Sequence, residues 1–146
     1  MKKLTFLFKR KPDMTPEQFR NHYENRHVPL ALRLLPYFSD YVRNYIRHDL
    51  AYRPEGLGVD NPPQFDVVTE VTFETEADYE LMMKRLADPA VSRQIIEDEE
   101  RFMDRKATLM FFVDEEKTPQ ARLKASARAG ENIPQACRGL PRRETI

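Results

Sequence analysis

The chain has no tryptophan, four glycines and one cysteine among 146 residues, and its 24 basic residues are balanced by 24 acidic ones. Each scarcity excludes something. Cys137 has no internal disulfide partner and cannot build a zinc site alone, which fits a reducing, cytoplasmic setting. A net charge of zero lacks the basic surplus with which proteins hold nucleic acid or an anionic membrane, so neither partner is expected. No apolar stretch approaches the roughly 20 residues of a membrane-spanning helix, and Leu4–Phe8 is too short for a signal region. So few glycines leave no glycine-rich phosphate loop, and no serine or cysteine stands in a nucleophile motif. No compact alternation of carboxylates suits a hard cation, so no metal is expected.

What is present is well ordered along the chain. Leu4 to Phe8 predicts a strand, ended by Lys9-Arg10-Lys11, Pro12 and Asp13. Thr15, Pro16 and Gln18 form the start signal of a helix, with a capping box. Phe19, His22, Tyr23 and Arg26 recur along it at helical spacing. Pro29 blocks continuation in register but can open a second short helix through Leu30, Leu32, Leu34 and Leu35, stopped by Pro36. Phe38 to Leu50 reads as a long second strand, with Tyr41, Arg43, Tyr45 and Arg47 on one side and Val42, Asn44, Ile46 and His48 on the other. Residues 51–64, with three prolines and two glycines, predict a loop. Phe65 to Glu74 alternates as a third strand. Thr75 with Asp78 caps a helix with a Tyr79, Met82, Met83, Leu86 stripe; Asp88-Pro89 separates it from a further helix over Val91–Met103, and Leu109–Val113 is the fourth strand.

The order is β-α-β-β-α-β, which predicts an α+β, ferredoxin-like domain over 1–114. Its helices cover one sheet face. Strands one and four offer apolar residues to both faces, so the uncovered face predicts a homodimer packed sheet to sheet. From 115 to 146 large apolar residues thin out, which predicts a tail or an arm reaching across a partner subunit.

His27 is the leading candidate for chemistry. It stands at a helix break two residues before Pro29, and neutral imidazole accepts and returns a proton near pH 7. The same position also suits a helix C-terminal cap. His22, five residues earlier, falls on another face of an α-helix, so it is no metal partner and reads as a partly exposed helix histidine. His48 is a second possible proton-transfer group or a plain strand-end histidine. Tyr41 could donate to a carbonyl or enolate oxygen, or serve the core. Arg43 and Tyr45 share its strand side, where a guanidinium could hold a carboxylate. With Phe19 and Tyr23, these would line a substrate pocket between helix one and the sheet. The acidic run 97–100 reads as a solvated helix face paired with Arg93 and Arg101.

Several words of the sequence resemble the EthD-type family of the dimeric α/β-barrel superfamily. They are Lys9-Arg10-Lys11-Pro12, Met14 to Phe19, His27-Val28-Pro29-Leu30-Ala31, Tyr41 to Tyr45, and Asp98 to Asp104. The resemblance covers about residues 3–113. It implies a cofactor-free protein akin to polyketide cyclases, dehydratases and a lactone methylisomerase. In the isomerase relatives a histidine after helix one and a tyrosine at the start of strand two are active-site groups, and His27 and Tyr41 occupy the matching words. Those relatives also carry a cysteine after a strand-three glutamate, where this chain has Glu70-Val71. The resulting expectation is proton transfer without a cofactor on an aromatic or polyketide-like carbonyl compound, with His27, Tyr41 and His48 as catalytic candidates. A cofactor-free monooxygenase and a non-catalytic ligand-binding accessory protein are the alternatives.

Overall fold

The computed structural model describes residues 1–55 and 63–123. The middle of the expected 51–64 loop and most of the expected arm, 124–146, lie outside the described residues. Contacts group the chain into two units, Met1–Asp114 and Glu115–Ile146. The first carries a four-stranded antiparallel sheet of β1 (Lys2–Phe8), β2 (Asp40–Tyr45), β3 (Val67–Phe73) and β4 (Leu109–Val113), in the order β2-β3-β1-β4. With two helical crossovers on one face, this is the ferredoxin-like α+β fold.

The helices begin where the sequence signals them. Thr15 accepts from the Gln18 N–H while the Gln18 side chain accepts from the Thr15 N–H, closing the box at the start of α1 (Pro16–His22). Thr75 and Asp78 do the same for α3 (Glu76–Leu86), and Asp88 caps α4 (Pro89–Phe102) with Pro89 in its first turn. Pro29, expected to separate one helix from the next, does not break the run. α1 passes through one π-helical turn, Tyr23–His27, directly into α2 (Val28–Leu34). The Val28 N–H donates to the Tyr23 carbonyl, five residues back. A proline ring presses on the carbonyl four residues back, and a widened turn relieves that clash.

Strand two is shorter than its composition suggests. Pairing with β3 covers Asp40–Tyr45, and His48–Leu50 is a 3-10 turn. Arg47 leaves the extended region at φ −88°, ψ 87°, and binds Asp49 across that turn. β3 keeps the alternation predicted for it: Val67, Thr69, Val71 and Phe73 are buried against the helices. Of the α3 stripe, Met82 is buried but Met83 stays exposed.

Two clusters fill the space under the helices. One gathers Leu4, Leu34, Leu35, Val71, Phe73, Met82 and Ile95. The other centres on Tyr23, wholly buried among Phe8, Phe19, Val67 and Phe102. Within the unit Met1–Asp114, none of helices α1–α4 covers the opposite sheet face, which carries Leu7, Val42, Val68, Leu109 and Phe111. β4 is open on both sides: Leu109, Met110, Phe111 and Phe112 are 51%, 62%, 41% and 49% exposed.

Candidate functional site

The π-turn decides where the histidines point. Residues five apart diverge around an α-helix, which turns about 100° per residue, but align on a π-turn with its five-residue hydrogen bond. His22 and His27 therefore face the same way, towards α4. There the Asp98 carboxylate takes both: His22 Nε2 donates to Oδ1 at 3.0 Å and His27 Nδ1 to Oδ2 at 2.9 Å. His22 is partly exposed, as expected, but the expectation that it lies on a different helical face from His27 is corrected. So is the solvated acidic face: Asp98 is buried, and Glu99 pairs with Arg105 at 2.8 Å. Asp98 carried a readable signal, because it sits in the stripe Val91, Ile95, Asp98, Phe102, where each step is three or four residues. A carboxylate on a buried stripe needs a partner.

His27 is 5% exposed and packs on two rings, Phe102 at 5.1 Å and Tyr23 at 5.6 Å between centroids. His22 stacks on Phe102 at 4.8 Å. Burial pulls the His27 pKa below its ordinary value; the hydrogen bond and charge of Asp98 oppose that, and His22 adds to it. Neutral His27 donates from Nδ1, so its Nε2 carries the lone pair. That nitrogen has no hydrogen-bond partner among the described residues.

Tyr23 links this pair to the sheet. Its hydroxyl lies 2.7 Å from Thr69 Oγ1 and 3.2 Å from the Tyr41 hydroxyl. Burial pushes Tyr41 up to about 12 and Tyr23 well above its ordinary value, so both remain phenols and hydrogen-bond donors. Three hydroxyls in a row polarise one another.

Arg43 and Tyr45 are engaged elsewhere. Arg43 grips Glu24 through two nitrogens, at 3.0 and 2.8 Å, and the Tyr45 hydroxyl donates to the same carboxylate at 2.7 Å. These bonds hold Glu24 below the usual carboxylate range, Arg43's hydrogen bond first among them, while burial and Glu24 raise Tyr45. Glu24 is the partner that sequence spacing did not single out. It lies on the π-turn, where its orientation follows from the widened geometry.

His48 stands apart. Its Nε2 lies 2.8 Å from the Phe65 carbonyl, and no hydrogen bond or ring contact joins it to His27 or Tyr41. The expected pocket between helix one and the sheet is filled by the Tyr23 cluster at its centre. It opens only at the edge, as a groove of about 470 Å³ lined by Phe19, Tyr45 and His48. Six of the seven predicted residues are linked: Tyr23 touches His27, Tyr41, Tyr45 and Phe19, and Arg43, bound to Glu24, stacks on the Tyr41 ring at 4.8 Å, while His48 stands apart at the edge groove that Phe19 and Tyr45 also line. Among the described residues no group of three or more metal-ligating side chains could hold an ion, and no helix is long and apolar enough to cross a membrane.

The sequence pattern of the EthD domain matches residues 11–106. A curated protein of Passalora fulva, the decarboxylase claH, is 30% identical over 114 residues, spanning 73% of this chain and 71% of its own length. An EthD-like protein of Ralstonia eutropha superposes with a TM-score of 0.56 at 14% identity, covering 83% of this chain and 96% of its own. An EthD family protein of Bacillus halodurans gives 0.52 at 19% identity, covering 80% of this chain and 100% of its own. At those identities the likeness to the solved structures is one of fold.

Proposed function

This chain belongs to the EthD family, and from that premise we propose that it is a cofactor-independent enzyme moving a proton at a carbon next to a carbonyl, on an aromatic or polyketide-like small molecule. One observation carries the reading: Asp98 holds His27 by Nδ1 and leaves Nε2 free. A carboxylate behind an imidazole fixes its tautomer and stabilises the imidazolium that forms when Nε2 takes a proton.

In the step, Nε2 of His27 removes the proton and the C–H electron pair moves into an enolate. The Tyr41 phenol donates to the enolate oxygen, with Tyr23 and Thr69 behind it. Cyclisation, dehydration and isomerisation share that enolate. So does decarboxylation, the activity named for the Passalora fulva relative; there Nε2 takes the carboxylic acid proton, the C–C electron pair moves into the enolate as carbon dioxide leaves, and the imidazolium returns that proton to the carbon. His48 serves at most the edge groove in this scheme.

Exchange in D2O tests it. The acidic C–H of benzoylacetone should exchange faster with the protein than in buffer, and His27→Ala should abolish the acceleration. No acceleration by the wild-type chain, or equal acceleration by the variant, overturns the assignment.

The partner proposed is a second copy of this chain, over the uncovered sheet face and β4. Burying that apolar surface would exceed the ~1,000 Å² of a stable interface. Light scattering should give a dimer at micromolar concentration, and Phe111→Lys should shift it to monomer; monomer from the unaltered chain refutes the pairing.

A further inference from the structure

A second groove, of about 450 Å³, runs between the π-turn and α2 on one wall and α4 on the other. Arg26 and Arg33 line the first wall and Arg101 the second, with Pro29 and Leu30 between them. The four arginines Arg10, Arg43, Arg47 and Arg105 each hold a carboxylate elsewhere in the fold. These three are exposed and hold none among the described residues. Two carboxylates also reach the groove, Glu97 and Asp98, but both Asp98 oxygens are taken by His22 and His27. Three guanidinium groups that line one groove with Pro29 and Leu30 and hold no carboxylate among the described residues outnumber Glu97 there, a composition that suits a flat anion. The volume suits a ligand of two or three fused rings.

We infer that this groove binds an aromatic carboxylate, its acid group on Arg26, Arg33 and Arg101 and its ring on Pro29 and Leu30. Asp98 is at once a wall of the groove and the partner of His27, so an occupant lies against the same carboxylate that orients the base. A carboxylate gripped by guanidinium is stabilised as the anion and is a poor source of carbon dioxide. The acid group held here is therefore one that the reaction leaves in place. That the occupant is the substrate rests on the reading of His27 above; that the groove binds it does not.

The test uses the full chain with 1-naphthoate as probe and its neutral analogue 1-naphthamide as control. Titration followed by amide NMR should move the signals of Arg26–Arg33 and Gln94–Arg101 most. Binding should weaken as KCl is raised, since solvent-exposed cations are screened. Arg33→Gln with Arg101→Gln should raise the naphthoate Kd at least about tenfold, the scale of a lost charge-assisted contact. Glutamine is a good helix former at exposed positions, so the variant should stay folded. Naphthamide binding as tightly as naphthoate to the unaltered chain would overturn the inference without any variant. So would the largest shifts appearing at Phe19 and His48, or an unchanged Kd in the double variant. Arg47→Gln, at the edge groove, should bind naphthoate like wild type; loss of binding there would move the probe to the edge groove and also refute the inference. Naphthoate binding in the groove without His27-dependent exchange would sink the catalytic reading alone.

Discussion

His27 and His48 are both held by a hydrogen bond to one ring nitrogen, and the difference between their partners is why His27 rather than His48 is the base we propose. His27 Nδ1 meets a buried carboxylate, whereas His48 Nε2 meets a main-chain carbonyl. A carbonyl orients a ring. A carboxylate also stabilises the positive charge that arrives with a proton, and it does so more strongly away from water. His27 is buried among aromatic rings, while His48 is half-exposed beside a polar turn.

The sharpest way to break this comparison is to remove each imidazole in turn. His27→Ala should lower turnover by roughly 10²–10⁴-fold, the contribution of a positioned acid or base, while His48→Ala should cost less than about tenfold. Equal losses in steady-state assays would erase the distinction. Asp98→Asn comes next, at roughly 10²-fold or more, because the amide cannot accept from both imidazoles and favours the wrong tautomer of one. Its melting temperature should also drop, by an amount matching about 1–3 kcal/mol for buried polar groups left unmatched. A normal rate in this variant would show that the carboxylate is only a structural clamp.

Tyr41→Phe should cost about tenfold or less, since one donor is lost and the ring stays; an unchanged rate would remove the phenol from the mechanism. The smallest effect is on stability. Burial lowers His27 from its ordinary value, so on acidification the unfolded chain takes the proton first. The contribution is whole above about pH 6.5, and it is lost as pH falls towards the lower folded value. Urea midpoints should therefore decline below about pH 6.5 in the wild type and less steeply in His27→Ala. Matching declines would place the titration on another group.

The outline of the fold was legible because its signals are local. Capping at Thr15 and Thr75 and the alternation of Val67 to Phe73 follow from short-range chemistry. The β-α-β-β-α-β order then allows few sheets. The end of strand two was not legible, because Tyr, Val and Ile favour extended chain whether or not a neighbouring strand is there to pair with. His27, Tyr41 and Tyr23 could be named from residue type and position. Their joining could not, because it runs from α4 to the π-turn and from the π-turn to β3. Asp98 was visible in principle as a carboxylate on an apolar stripe, but the acidic residues on both sides of it disguised it. His22 was hidden by the assumption of 3.6 residues per turn, which fails at this one place.

That failure makes helix length a functional variable in its own right. A π-turn carries one residue more than an α-helix needs for the same advance. Removing one residue between His22 and His27 would let the segment close as plain α-helix with the two histidines four apart, still on one face; closing it as α-helix with every residue kept would instead swing His27 by about 100°. In that second case every side chain named in the chemistry survives, yet the two imidazoles can no longer share one carboxylate. In this chain the hydrogen-bond register of one turn, together with the spacing of the two histidines, decides whether they meet at Asp98.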